Sequence, residues 1–232
     1  MALTQAGPTL WGMQLYAITD RTLLPGTEQQ QRDGIVELAR KWTRAGVDYI
    51  QIREKDLDER ELLELAEQVM KAVREESART RVLLNGRAQI ALNSGADGFH
   101  LVGDAPEGAA QQGRNLFVRA GREVVVSYAC HSRENVLKAK AESQRDVHAT
   151  AANTLILYAP VFEKATPNER LPGRGLEALK DAVEAAKPIP VFALGGVTRQ
   201  NAASCIWAGA RGVAGIRLFL ENGWQQLKMN QD

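Results

Sequence analysis

The chain has 232 residues, with 29 Lys or Arg against 28 Asp or Glu, so its formal net charge is +1. A near-neutral charge disfavours dedicated nucleic-acid binding, because the phosphate backbone selects basic surfaces. No apolar stretch approaches the roughly 20 residues of a membrane helix. Two cysteines without a CxxC pair suggest no disulfide framework, and no secretory signal is visible. We expect a globular protein in the reducing cytoplasm, with no nucleic-acid or membrane partner.

Short aliphatic runs alternate with helical patterns along the chain. Such runs are typical of strands buried on both faces of a parallel sheet. The eight predicted strands are Leu15–Thr19, Tyr49–Ile52, Val82–Leu84, Gly98–Leu101, Val124–Ser127, Thr154–Tyr158, Pro190–Leu194 and Gly212–Ile216. Ser132 and Thr198 are the predicted N-caps of helices over Arg133–Glu142 and Arg199–Ala208.

Eight strand–helix units in one chain of this length predict an α/β protein, a single (β/α)8 TIM barrel. The predicted domain covers residues 13–232, and residues 1–12 form an N-terminal extension. The alternative is a doubly wound open sheet. That fold usually carries a G-x-G-x-x-G turn after its first strand, whereas this chain has Thr19-Asp20-Arg21. In a barrel, the chemistry is expected at the carboxyl ends of the strands.

A phosphate site is predicted after the last two strands. Gly195-Gly196 follows the seventh strand, and glycines allow backbone N–H groups to approach an anion closely. Ile216 and Arg217 follow the eighth strand, where barrels commonly hold phosphate. The alternatives are that the glycines only form a tight turn and that Arg217 is a surface residue.

A second group of polar residues follows the second strand. Gln51, Arg53 and Lys55 alternate along the chain, so they share one side while the backbone stays extended. Two cations and an amide at the barrel mouth suit an anionic or polar substrate. Equally, the segment is consistent with a salt-bridged loop that includes Glu54 and Asp56.

Several motifs resemble those of one enzyme family, in order along nearly the whole chain. They are Leu15-Tyr16-Ala17-Ile18-Thr19-Asp20, Gln51-Ile52-Arg53-Glu54-Lys55-Asp56, Gly95-Ala96-Asp97-Gly98-Phe99-His100-Leu101, Ala159-Pro160-Val161-Phe162, Gly175-Leu176-Glu177 and Gly195-Gly196-Val197. In combination they resemble the family of thiamine phosphate synthase and TenI, the thiazole tautomerase. The resemblance implies a (β/α)8 barrel that acts on a thiazole phosphate in thiamine biosynthesis. The synthase joins that substrate to hydroxymethylpyrimidine diphosphate with Mg²⁺, whereas TenI shifts a proton on a carboxythiazole phosphate without a metal.

The chain departs from the synthase pattern at the metal and diphosphate positions. Where that pattern has Asn-Asp, this chain has Asn85 followed by Gly86, and glycine offers no carboxylate to Mg²⁺. Asp104 lies near the second expected metal ligand, in a loop that is one residue shorter. The pattern's Thr-Lys appears as Thr166-Pro167, and Lys164 replaces that lysine only if the loop bends differently.

The same positions resemble TenI more closely, and His131 matches the proton-transfer residue of that enzyme. The resemblance implies His131 as the catalytic residue, with no cofactor in TenI and Mg²⁺ with Asp104 as a metal ligand in the synthase. The implied substrate-binding residues are Gln51, Arg53, Lys55, Asn85, His100, Thr166 and Gly175. For His100 a structural hydrogen bond between strands is an equal alternative.

Three readings of function stay open at this point. A tautomerase is favoured by the departures from the synthase pattern. A Mg²⁺-dependent synthase is favoured by the complete Gln51, Arg53 and Lys55 set. A barrel that only binds thiazole or thiamine phosphates is the third. The partner is a small-molecule thiazole phosphate in each case, and a homodimer fits the family.

Overall fold

The computed structural model describes residues 12–166, 169–221 and 224–229, and within them the predicted barrel is present. Eight parallel strands form a closed barrel; they are named next in their order around it, and the last pairs with the first. They are β1 Gln14–Ile18, β2 Tyr49–Ile52, β3 Arg81–Asn85, β4 Gly98–Leu101, β5 Val125–Cys130, β6 Thr154–Tyr158, β9 Val191–Ala193 and β10 Gly212–Gly215. The (β/α)8 prediction is therefore confirmed. The predicted extension falls almost wholly on residues 1–11, outside the described residues.

Helices follow the barrel strands on the outside. They are α1 Glu28–Arg44, α2 Glu59–Glu76, α3 Ala88–Asn93, α4 Ala109–Arg119, α5 Arg133–Arg145, α6 Gly175–Ala186, α7 Ala202–Trp207, α8 Arg217–Leu220 and α9 Gln226–Met229, with a 3₁₀ turn at Arg21–Leu23. The Ser132 cap is confirmed, since its hydroxyl accepts from the Asn135 N–H at 3.2 Å. None of the described helices is both long and apolar enough to cross a bilayer.

The predicted Thr198 cap is wrong. The N-cap of α7 is Asn201, and the helix begins at Ala202. The Asn201 side chain accepts from the Thr198 N–H at 2.8 Å and donates to the Gly196 carbonyl at 3.0 Å. These bonds hold the chain after β9 in a turn, so the regular helix starts three residues later than the apolar pattern indicates.

A two-stranded hairpin lies between β6 and α6 and was not predicted. Its strands are β7 Lys164–Thr166 and β8 Glu169–Leu171, which pair antiparallel and stand apart from the barrel sheet. Three-residue strands are too short to produce a recognisable alternation of polar and apolar residues. Because of this hairpin, the chain leaves the barrel after β6 and returns to it at α6.

The core has two layers separated by the sheet. Alternate side chains of each strand point inward, where Tyr16, Ile18, Leu155, Leu157, Phe192 and Ala214 form the barrel interior. The remaining strand positions pack outward against the helices, as Val126, Ile156 and Val213 do. This alternation places Gln51 and Ser127 inside the barrel although both are polar. A polar group in that position requires a hydrogen-bond partner.

Candidate active site

A chain of five hydrogen-bonded side chains crosses the barrel interior. Gln51 donates from Nε2 to Asn85 Oδ1 at 2.9 Å and accepts at Oε1 from the Tyr16 hydroxyl at 3.1 Å. The Tyr16 oxygen lies 3.2 Å from Ser127 Oγ, which lies 2.7 Å from His100 Nδ1. Since β1 and β5 are opposite strands of the barrel, the contact between Tyr16 and Ser127 joins its two sides. Three predicted substrate-binding residues, Gln51, Asn85 and His100, thus belong to one polar network.

His100 is buried and neutral. Its side chain is only 6% exposed, and burial, reinforced by the positive charge of Arg53, lowers its pKa to about 3. The predicted hydrogen bond between strands is present, because Ser127 belongs to β5 and His100 to β4. The ring is not enclosed on both sides, however. Its Nε2 has no hydrogen-bond partner among the described residues and is reached by solvent.

The segment after β2 divides its charged residues between two sides. Gln51 is buried inside the barrel, Arg53 is half-buried and Lys55 is exposed. The Arg53 guanidinium makes no hydrogen bond or ion pair to a described residue. It is therefore available to an anion at the barrel mouth.

Glu54 and Asp56 are held on the other side by Arg21. The Arg21 guanidinium contacts Asp56 at 2.7 and 2.8 Å and Glu54 at 3.2 Å. Glu54 also accepts from the Thr19 hydroxyl at 2.6 Å, and Thr19 Oγ1 accepts from the Arg53 N–H at 2.9 Å. The loop is thus salt-bridged, but through Arg21 and not through Arg53 or Lys55. The salt-bridged loop is therefore present around Arg21, Glu54 and Asp56. Substrate binding by Gln51, Arg53 and Lys55 stays a prediction.

His131 is the exposed histidine at the end of β5. Its Nδ1 lies 2.8 Å from the Ala159 carbonyl oxygen, which can only accept, so Nδ1 carries the proton. The Asn135 side chain accepts from the His131 N–H at 3.0 Å and fixes the backbone at the start of α5. A Cβ placed on Gly103 would stand 3.2 Å from His131 Nε2. The imidazole therefore faces the loop after β4 with its unprotonated nitrogen.

Cys130, the neighbour of His131, takes no part in this site. Its side chain points outward into the core, and burial raises the pKa of its thiol to about 12. The prediction that the two adjacent side chains point apart is confirmed. His148 lies on the surface, as expected of its polar surroundings.

The predicted phosphate loop, Gly195-Gly196, packs against the segment after β6, where Ala159 contacts His131. Gly195 has φ +91° and Gly196 φ +64°, values that favour glycine, and a Cβ on Gly195 would meet Pro160 Cα at 2.7 Å. No described residue accepts a hydrogen bond from the N–H of Gly196. Because Ala159 binds His131 and Pro160 touches Gly195, the loop after β6 joins the two predicted sites.

The other predicted residues lie on the segments that follow β6 and β10. Ile216 caps α8 and contacts the interior cluster, and Arg217 is the exposed first residue of that helix. Gly175 begins α6, and its N–H donates to the Val161 carbonyl oxygen at 2.9 Å. Thr166 ends β7, opposite Glu169, and its side chain lies outside the described part of the chain.

Metal ligands are sparse at this mouth. Asp104 is exposed in the loop after β4, near the second expected carboxylate, and Gly86 occupies the position of the first. Within the described ranges, no three His, Cys, Asp or Glu side chains are grouped closely enough to hold a metal ion.

Tyr16 and Ser127 are the site residues that sequence reasoning missed. Both lie at inward positions of their strands, and the signal was a hydroxyl at a position where alternation predicts a barrel-interior side chain. Without the barrel closure, nothing in the sequence indicates that residues 111 positions apart share a hydrogen bond.

The chain is similar to known proteins over most of its length. The family model described as thiamine monophosphate synthase matches residues 15–219. The thiamine-phosphate synthase of Methanoculleus marisnigri is 32% identical, over 91% of this chain and 90% of its own length. The thiamine-phosphate synthase of Syntrophomonas wolfei is 34% identical, over 89% and 88%.

A solved structure agrees with these relatives. The thiamine phosphate pyrophosphorylase of Pyrococcus furiosus superposes with a TM-score of 0.71 and 25% identity, over 96% of this chain and 95% of that one. Motifs, barrel topology and the family match coincide over nearly the same residues. The chain therefore belongs to the thiamine monophosphate synthase family, which includes TenI.

Proposed function

We propose that the protein is a thiazole tautomerase of the TenI type, which moves a proton on a carboxythiazole phosphate without a metal. The observation that carries this proposal is the orientation of His131. Its Nδ1–H is committed to the Ala159 carbonyl, so in its uncharged form the ring presents an unprotonated Nε2 at the barrel mouth. A tautomerase needs one group that accepts a proton from one carbon and returns it to another. Histidine suits that work because its ordinary pKa is close to neutrality.

The phosphate loop supports the same assignment. Gly195 packs against Pro160, which follows Ala159, the partner of His131, and the Gly196 N–H donates to no described residue. A substrate phosphate held there places the attached ring beside the imidazole. Arg53 supplies a cation for the substrate carboxylate. A charged hydrogen bond of this kind contributes about 1.5–3 kcal/mol to binding.

The residues present do not fit a resident Mg²⁺ site. Mg²⁺ in a phosphate-transfer site is bound by one or two carboxylates together with substrate oxygens. Glu54 and Asp56 are occupied by Arg21, which leaves Asp104 as the acidic group at the expected position. We assign no step to a metal.

The proposal is tested with His131→Asn. General acid–base catalysis is worth about 10²–10⁴ in rate, so conversion of the carboxythiazole phosphate tautomer should fall by about that factor. Affinity for the thiazole phosphate should stay within about threefold, because the loop after β9 holds the phosphate. His148→Asn, which changes an exposed histidine away from the mouth, is the matched control and should keep full activity.

Two results would contradict this assignment. If His131→Asn keeps the unmodified rate, another group carries the proton. If the unmodified protein binds the thiazole phosphate but does not convert the tautomer, a binding role replaces the tautomerase.

The second candidate is a thiamine phosphate synthase. It is favoured by the names of the relatives and by the complete set of Gln51, Arg53 and Lys55 at the mouth. We expect little thiamine phosphate from hydroxymethylpyrimidine diphosphate and thiazole phosphate. Gly86→Asp should increase its formation, because it adds the missing carboxylate. Since Gly86 has φ +68°, Gly86→Asn serves as a control with the same strain and no charge. Efficient Mg²⁺-dependent synthesis by the unmodified protein would establish the synthase instead.

A further inference from the structure

In the buried network of five side chains, the hydrogen bond from Tyr16 to Gln51 determines which atom donates in each of the others. The carboxamide oxygen of Gln51 can only accept, so the Tyr16 hydroxyl donates its single proton to Gln51 Oε1. The Tyr16 oxygen must then accept from the Ser127 hydroxyl, since it has no second proton. Ser127 has thereby used its own proton, so its oxygen accepts from His100 Nδ1–H. The Gln51 orientation is consistent at its other end, where Nε2 donates to Asn85 Oδ1.

We infer that Tyr16 is a positioning residue that fixes His100 as its Nδ1–H tautomer, with the Nε2 lone pair directed to the barrel mouth. The Tyr16 hydroxyl is buried from solvent and lies in the middle of the network. It therefore sets the direction of the hydrogen bonds on both sides. On one side the network ends in the Asn85 amide, whose Nδ2 donates to no residue that the structure describes. On the other side the network ends at His100, whose Nε2 lone pair is the acceptor. A ligand that spans the mouth must therefore accept a hydrogen bond near Asn85 and donate one near His100.

Two features of the structure make the polarity stable. His100 stays uncharged across the physiological range, because burial and the nearby Arg53 cation disfavour protonation. Burial likewise raises the pKa of the Tyr16 hydroxyl, so it keeps its proton. The Tyr16 ring is also held in place, by stacking on Tyr49 with ring centres 5.6 Å apart and by an edge contact with Phe192 at the same distance.

The inference is tested in the ligand-free protein, so its outcome is independent of the proposed function. Long-range ¹H–¹⁵N spectra of protein labelled at histidine distinguish protonated from unprotonated ring nitrogens, and His100→Asn identifies the His100 signals. We expect Nδ1 of His100 to be protonated and Nε2 to be unprotonated between about pH 5 and pH 8. An Nε2–H tautomer, or a charged ring in that range, would overturn the inference.

Tyr16→Phe tests the positioning role and keeps the ring packing. Without the Tyr16 oxygen, Ser127 is free to donate to His100 Nδ1, so the Nε2–H tautomer should become populated. Tyr49→Phe is the matched control, because the Tyr49 hydroxyl has no hydrogen-bond partner in the described chain. It should leave the His100 signals unchanged. Unchanged signals in Tyr16→Phe, or the same change in Tyr49→Phe, would refute the role of Tyr16, and the measurement on the unmodified protein stands if either variant fails to fold.

Discussion

His100 should make the protein less stable as the pH falls, and the size of the effect follows from its burial. In the unfolded chain its pKa is near 6.5, whereas in the folded protein it is about 3. Between these values the unfolded state binds a proton that the folded state does not. The contribution is therefore absent above pH 6.5 and grows as the pH falls toward 3. Linkage over that interval gives a loss of ~2.5 kcal/mol between pH 7 and pH 4.5.

The measurement is the free energy of unfolding in urea at about pH 7 and about pH 4.5, for the unmodified protein and for His100→Asn. The variant loses stability at both pH values because it disrupts the bond to Ser127, so the decisive quantity is the change between them. That change should be smaller in His100→Asn by ~2.5 kcal/mol. His148→Asn, which alters an exposed histidine, should behave like the unmodified protein. If His100→Asn shows the same pH dependence as the unmodified protein, the ring titrates normally and the reasoning about its burial fails.

Further predictions concern the phosphate loop and the Arg21 cluster. Arg217→Ala should weaken thiazole phosphate binding by about 1.5 kcal/mol, the lower end for a charged hydrogen bond because the side chain is exposed; an unchanged Kd measured by calorimetry would make Arg217 a surface residue. Gly196→Ala should abolish phosphate binding in the same assay, since its Cβ would lie 2.5 Å from the Glu163 carbonyl oxygen. Arg21→Met should lower the free energy of unfolding by about 3–5 kcal/mol, because it leaves Glu54 buried without its cation. Arg44, an exposed partner of Glu76, is the control, and Arg44→Met should leave the free energy of unfolding almost unchanged; equal losses in the two variants would contradict the assigned burial of the Arg21–Glu54 pair.

Local patterns were sufficient to predict the barrel. Each strand is a short aliphatic run whose residues are buried whichever way they point, so it stands out from the polar helices around it. All eight predicted strands are present, and the largest error in their ends is at β5, which continues three residues beyond Ser127 to Cys130. Strand ends are hard to predict, because the last residues of a strand are defined by pairing with neighbours distant in sequence. The hairpin β7–β8 was missed for the same reason, since its pairing is its only signature.

The position of the site was also available from the sequence, because a parallel barrel brings all its carboxyl strand ends to one mouth. Motifs placed Gln51, Asn85, His100 and His131 there, and the structure agrees on their strands. What the sequence alone determined was therefore which side chains meet at the mouth. Tertiary structure decided how each of these side chains is held. Closure of the barrel brings Tyr16 against Ser127, and that contact between opposite strands sets the protonation of His100 and the direction of its hydrogen bonds. Hydrogen-bond direction depends on which donors and acceptors are neighbours in space, and no local pattern of residues contains that information.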